Sequence, residues 1–237
     1  MSERASSMWI KICGNTNLDD AQVAASLGAD AVGFVFAPSE RQVTAAQVAQ
    51  ITPHLPERVE RVGVFPALGA EEIVAAADEA GLNTVQLHGG VNLELVQRLH
   101  ERLDGRVRLI QTVHWEVGGD GAGKNLASQL REISADGIVD RVLVDSKVAS
   151  AMGGTGVRFD WEAAREVLSQ AGGGVKLIVA GGLRAENVGE ALRTLKPWGV
   201  DVASGVEEAP GRKSREKMME FIRVARGSDD GCERVEF

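Results

Sequence analysis

A cysteine closes the first apolar run of the chain, Trp9-Ile-Lys-Ile-Cys13, and it is one of only two in 237 residues. A thiolate can act as nucleophile or base, yet cysteine is also among the most frequently buried side chains, so Cys13 could equally be a small hydrophobe at a strand end. Asp145 ends a similar run, Arg141-Val-Leu-Val-Asp145, where a carboxyl group could move a proton or only bind a loop backbone. Arg41, in the loop Ala37-Pro-Ser-Glu-Arg41, could bind an anion or remain solvated. His88, in Val85-Gln-Leu-His-Gly89, could touch a ligand or be a satisfied rim histidine.

Three glycine-rich stretches lie in the second half of the chain: Gly153-Gly-Thr-Gly156, Ala180-Gly-Gly-Leu183 and Ser204-Gly-Val-Glu-Glu208. The first reads as a loop that either touches substrate or is only flexible. The other two end apolar runs, and Ala180–Leu183 opens a helical pattern near Arg184. Bare backbone amides free of Cβ atoms can converge on an anion, and a helix N-terminus strengthens the field. Paired in adjacent late units, these loops predict a phosphate site. The four histidines (His54, His88, His100, His114) show neither HxH nor HExxH spacing, and two cysteines make no disulfide framework. The expectation is no metal and no cofactor.

Such groups need elements to position them. Eight short apolar runs recur: Trp9–Cys13, Ala31–Phe36, Arg58–Phe65, Thr84–His88, Val107–Val113, Arg141–Asp145, Val175–Ala180 and Val200–Ser204. Helical periodicity fills the gaps, as at Ala21, Ala24, Ala25 and at Ile73, Val74, Ala77. One grammar repeats at Ser26-Leu-Gly-Ala-Asp-Ala-Val-Gly, Glu79-Ala-Gly-Leu-Asn-Thr-Val-Gln and Lys196-Pro-Trp-Gly-Val-Asp-Val: a glycine near a helix end, a polar residue, then a buried strand. Eight units of roughly 30 residues match the βα repeat. A doubly wound open sheet would carry GxGxxG after its first strand, whereas Cys13-Gly-Asn-Thr-Asn17 has none. The fold class predicted is α/β, a single (β/α)8 barrel with late-strand phosphate-binding loops. Residues 1–8 form an N-terminal extension, 9–226 the barrel and 227–237 a polar tail containing Cys232. Gly118–Gly123 reads as a loop within the alternation.

Composition narrows the partners. Acidic residues outnumber basic ones 34 to 26, for a net charge of −8, which disfavours a nucleic-acid surface. No window reaches the roughly 18 apolar residues of a membrane span, and the start Met1-Ser-Glu-Arg lacks a signal-peptide core. A cytoplasmic protein acting on a small phosphorylated molecule, as monomer or homodimer, is expected.

With these residues assembled, the chain resembles the phosphoribosylanthranilate isomerase family of tryptophan biosynthesis. The resemblance rests on Lys11-Ile-Cys-Gly14, Gly28-Ala-Asp-Ala-Val-Gly-Phe-Val-Phe36, Val62-Gly-Val-Phe65, Val85-Gln-Leu-His-Gly89, Gly153-Gly-Thr-Gly156 with Phe159-Asp-Trp161, Ala180-Gly-Gly-Leu183, and Gly199-Val-Asp-Val-Ala-Ser-Gly-Val-Glu207 with Ala209-Pro-Gly211. It implies an Amadori rearrangement of N-(5-phosphoribosyl)anthranilate without cofactor. It assigns Cys13 as general base and Asp145 as general acid. Arg41 would hold the anthranilate carboxylate, Gly181, Gly182, Ser204 and Gly205 the phosphate, and Gln86, His88 and Gly154 would be further substrate contacts. A free thiol titrates near ~8.5, so Cys13 needs help to act as a thiolate, and Lys11 stands two residues away on the same strand face. The chain departs from the family's usual pattern in a shorter loop before Arg41 and in Ala203-Ser204 where two serines are common. Sister isomerases of the histidine pathway place an aspartate where this chain has Cys13, which favours the anthranilate substrate. A phosphate-binding barrel without turnover is the alternative of another class.

Overall fold

The computed structural model describes residues 8–116, 122–147, 165 and 175–227. Gly154 and the rest of Gly153–Gly156, Phe159–Trp161, Gly118–Gly121, the N-terminal residues 1–7 and Cys232 lie outside the described residues, while Ala122 and Gly123, expected in a loop, open a helix.

Eight parallel strands close into a barrel in sequence order: β1 Trp9–Ile12, β2 Ala31–Val35, β3 Glu60–Phe65, β4 Thr84–Leu87, β5 Arg108–Glu116, β6 Arg141–Lys147, β7 Lys176–Ala180 and β8 Gly199–Val202. Closure is the parallel pairing of β1 with β8, from Trp9↔Gly199 to Ile12↔Val202. Between strands run α1 Leu18–Ser26, α2 Ala45–Ala49, α3 Ala70–Glu79, α4 Leu93–Leu103, α5 Ala122–Asp136 and α6 Ala185–Leu195, and α7 Arg215–Gly227 follows the last strand. The predicted barrel is therefore observed. β5 and β6 run on to Glu116 and Lys147, beyond the expected ends at Val113 and Asp145, because the two strands stay paired through Glu116↔Lys147. The sequence also hid a two-stranded ribbon, β9 Glu207–Ala209 with β10 Arg212–Lys213, inserted after β8.

Local chemistry explains the helix starts. Asn17 caps α1 by accepting from the Asp20 amide at 2.9 Å, and Asn92 caps α4 through the Leu95 amide. Thr44 and Gln47 form a reciprocal capping box on α2. Side chains alternate along each strand, so one set meets the helices and the other fills the barrel. Ile10, Ile12, Val32 and Phe34 join the outer core with helix residues such as Ala21, Ile73 and Leu99. Trp9, Ala31, Val62, Ile110, Leu143 and Ile178 form a separate inner cluster.

The end of the barrel where the strands begin is sealed. Trp9 stacks on Trp198 at 5.3 Å between ring centroids, and the Arg141 guanidinium lies 4.7 Å from the Trp198 ring. Arg141 also donates to Glu60 at 2.7 Å. Gly199 is required here, because a Cβ would fall 2.9 Å from the Trp9 ring. At the opposite end, in the direction the strands point, lies the candidate site.

Candidate active site

Cys13 follows the last residue of β1 and is buried, its amide donating to Val202 O at 2.8 Å. The turn behind it is fastened by Asn15, whose buried side-chain amide donates to Ile12 O at 2.7 Å. Gly33 on β2 supplies space, since a Cβ there would sit 2.8 Å from both Cys13 Sγ and Lys11 Cε. Two residues back on the same inner face, Lys11 is wholly buried. It donates to Gln86 Oε1 at 2.7 Å and pairs with Asp201 Oδ1 at 3.0 Å, and Gln86 passes a hydrogen bond to Thr112. Four strands are thus tied together beneath the thiol.

Burial would lower the Lys11 ammonium, but Asp201 and Cys13 reverse that and hold it above its ordinary value. Burial pushes the Cys13 thiol up; Lys11 pulls it the other way without reversing it. Asp201 is also pushed up by burial against the pull of Lys11. The sequence expectation that Lys11 stands beside Cys13 is met, yet its effect is to limit a rise in the thiol value and not to bring it below normal.

Asp145, on β6, faces the same opening. His88, just past β4, and His114, on β5, flank its carboxylate at 3.9 and 3.8 Å. The two imidazoles meet edge to face at 4.6 Å. One cavity of about 380 Å³ is lined by Cys13, Arg41, Gln86, His88, Asp145, Gly181, Gly182 and Ser204, together with Asp201. Gly205 lines the neighbouring opening of about 540 Å³, shared with Gly182, Ser204 and the first residues of α6. Every proposed contact among the described residues therefore borders the mouth of the barrel.

The late loops approach each other closely. Gly181 and Gly182 hold φ values of +94° and +63°, a conformation that disfavours other residues. A Cβ at Gly205 would collide with the Leu183 carbonyl, so glycine lets the β8 loop lie against the β7 loop. Ser204–Val206 forms a short 3-10 turn, and α6 starts at Ala185 with Asn187 capping the Arg184 amide at 2.9 Å.

Arg41 has a protein partner. Its Nε and Nη2 donate to the two oxygens of Glu207 at 2.8 and 2.7 Å, and the buried Lys213 ammonium donates to the same carboxylate at 2.9 Å. Burial acts to raise Glu207, but Arg41 and Lys213 outweigh it and hold the carboxyl below its ordinary value. The bidentate pair uses two of the five guanidinium N–H groups, leaving three by count for a ligand in the cavity that Arg41 lines. It also ties the β2 loop to the β8 loop across the end of β1, where Cys13 sits.

Sequence reasoning missed His114, Asp201 and Glu207. The signal for His114 and Asp201 was the strand parity: Thr112 and His114 share a face, as do Gly199 and Asp201. Glu207 had none, since its partners come from distant loops.

A family model described as N-(5'phosphoribosyl)anthranilate (PRA) isomerase matches residues 10–224. The N-(5'-phosphoribosyl)anthranilate isomerase of Rubrobacter xylanophilus is 40% identical over 222 residues, 92% of this chain and 98% of the relative. That of Thermotoga neapolitana is 40% identical over 219 residues, with 92% and 98% covered. The crystal structure of phosphoribosyl anthranilate isomerase from Thermotoga maritima superposes with a TM-score of 0.78 at 37% identity, covering 93% of this chain and 99% of the other. A second crystal structure of such an isomerase holds reduced 1-(o-carboxyphenylamino)-1-deoxyribulose 5-phosphate, with a TM-score of 0.76 at 35% identity and the same coverage. By barrel, by sequence and by near-complete mutual coverage, the chain belongs to the N-(5'-phosphoribosyl)anthranilate isomerase family of tryptophan biosynthesis.

Proposed function

We propose that the chain isomerises N-(5'-phosphoribosyl)anthranilate to 1-(2-carboxyphenylamino)-1-deoxyribulose 5-phosphate, with Asp145 as general acid and Cys13 as general base. The observation that carries this reading is the shared cavity bordered by Cys13, Asp145, Arg41 and the Gly181–Gly182 turn. Asp145 gives its proton to the furanose oxygen as the bond from C1 to that oxygen breaks and the anthranilate nitrogen forms the C1=N bond. The Cys13 thiolate then takes the proton from C2. The electron pair left behind makes the C1=C2 enolamine, which becomes the C2 ketone as C1 takes a proton back from the Cys13 thiol and the C2 hydroxyl gives up its proton to the Asp145 carboxylate. No net oxidation occurs, so no external redox partner is required.

The substrate's two anionic ends suit the two sides of the cavity. Amides of the β7 and β8 loops, with the N-terminus of α6, offer donors to the phosphate. The remaining N–H groups of Arg41 offer donors to the anthranilate carboxylate. Gln86 and His88 contribute polar edges between these ends, and Gly154 is proposed as a further contact on the resemblance alone.

An isomerisation assay on freshly generated phosphoribosylanthranilate, read by loss of anthranilate fluorescence, tests the proposal. The parent should turn over, and Asp145→Asn should lose about 10²-fold or more in kcat while retaining product-analogue affinity. Turnover of the histidine-pathway aminoaldose alone would give the site to the sister reaction. Analogue binding by the parent without turnover of either substrate would mark a binding barrel.

A further inference from the structure

We propose that His88, His114 and Asp145 form a site for one divalent transition-metal ion of the zinc, cobalt or nickel type, and that filling it switches the isomerase off. The switching half rests on Asp145 being the general acid; the binding half does not.

The three side chains come from the end of β4 and from the next two strands, β5 and β6, and their donor atoms lie within 4.8 Å of one another. His88 Nε2 and His114 Nδ1 stand 3.9 and 3.8 Å from the same oxygen, Asp145 Oδ2. Those gaps are too long for hydrogen bonds. They exceed by only about half an ångström the separation of ligand atoms around a tetrahedral ion with bonds of roughly 2.0–2.2 Å. Small side-chain rotations would close them.

The orientation of His114 is the second observation. Its Nε2 lies 3.2 Å from the His88 backbone carbonyl, which can only accept, so Nε2 carries the hydrogen. In the neutral ring Nδ1 then presents a lone pair toward a carboxylate oxygen, and this buried atom takes no hydrogen bond. When Asp145 is ionised two acceptors face each other, and a cation, either the proton that Asp145 carries as general acid or a metal ion, belongs between them. Anchoring the far ring nitrogen on a carbonyl is also the arrangement that metal-bound histidines adopt. The two-imidazole, one-carboxylate set suits borderline transition ions and not calcium or magnesium, which demand oxygen.

Access exists from two sides. His88 and Asp145 line the main cavity, while His114 lines a separate cavity of about 240 Å³ with Gly90, Thr112, Asn125 and Gln129. Sequence spacing concealed the group because its members come from three successive βα units. An ion held here takes the Asp145 carboxylate as a ligand, and a metal-bound carboxylate has no proton to give the ring oxygen.

The test uses tag-free full-length protein. Titration with cobalt chloride should bring up visible d–d bands that saturate at one ion per chain, and calorimetry with zinc chloride should give the same stoichiometry. His114→Gln keeps a donor for the His88 carbonyl but removes the metal ligand, and should weaken both by about 10-fold or more; His88→Gln should do likewise. Zinc should inhibit turnover reversibly by chelator, and His114→Gln should lose that sensitivity relative to its own metal-free rate. Absence of saturable binding, or unchanged affinity in both variants, overturns the site. Binding that leaves turnover untouched overturns the switch. A parent without isomerase activity removes the reading of Asp145 while the cobalt spectrum still decides the site.

Discussion

At the residue scale, the thiol of Cys13 is both the most informative group and the least prepared. Burial raises it, and the Lys11 ammonium only moderates that rise. A base must lose its proton to act, so kcat/KM should climb with pH, with its rising limb above the ordinary thiol value. Removing Lys11 takes away the pull toward the thiolate, so Lys11→Met should move that limb to still higher pH and depress turnover near neutrality. A limb that stays in place would show that Lys11 does not act on the thiol. The same substitution leaves Asp201 buried without its counter-ion, at a stability cost of about 3 kcal/mol, visible in denaturant unfolding. The strand WIKI alone predicted that Lys11 and Cys13 share a face. It could not reveal that Asp201, 190 residues away, holds the ammonium, because that contact exists only once β8 pairs with β1.

At the scale of elements, loops from β2 and β8 are clamped over the end of β1 by Arg41, Glu207 and Lys213. Arg41, expected to hold the anthranilate carboxylate, lines the cavity, while its bidentate partner Glu207 was invisible in sequence. Ion pairs between distant loops leave no local periodicity. The glycine loops were legible for the opposite reason: positive φ at Gly181 and Gly182 and the close approach at Gly205 each demand a residue without a Cβ. Strand ends were legible to within a residue or two, except on β5 and β6, whose mutual pairing extends them past their apolar runs. The clamp has a pH consequence. Glu207 is held below its ordinary value of 4.5, so its stabilising effect is full above that value and is lost as pH falls through the lower folded one. Glu207→Gln should therefore cost about 3 kcal/mol at pH 7 and progressively less in acid, followed by urea unfolding across that range. An equal cost at both ends would mean that the carboxylate charge contributes nothing.

At the scale of the whole molecule, the barrel separates stability from chemistry. The end where the strands begin is closed by Trp9, Trp198, Arg141 and Glu60; the other end carries the described side chains that we propose for the reaction. Trp198→Ala should lower stability by about 2–3 kcal/mol and leave KM unchanged, as thermal unfolding and steady-state kinetics would show. A raised KM with intact stability would contradict that division. Closure itself was legible from eight repeating units, since parallel strands bury both faces and read as continuous apolar runs. No described helix is long and apolar enough to cross a membrane.

The central claim is that Cys13 takes the proton from C2, and Cys13→Ser tests it most directly. Serine keeps the size and the backbone but is far too weak an acid to supply an anionic base. The variant should fold like the parent, bind the reduced product analogue with comparable affinity, and lose about 10²–10⁴-fold in kcat. Isomerisation by a folded Cys13→Ser protein at near the parent rate would contradict the account.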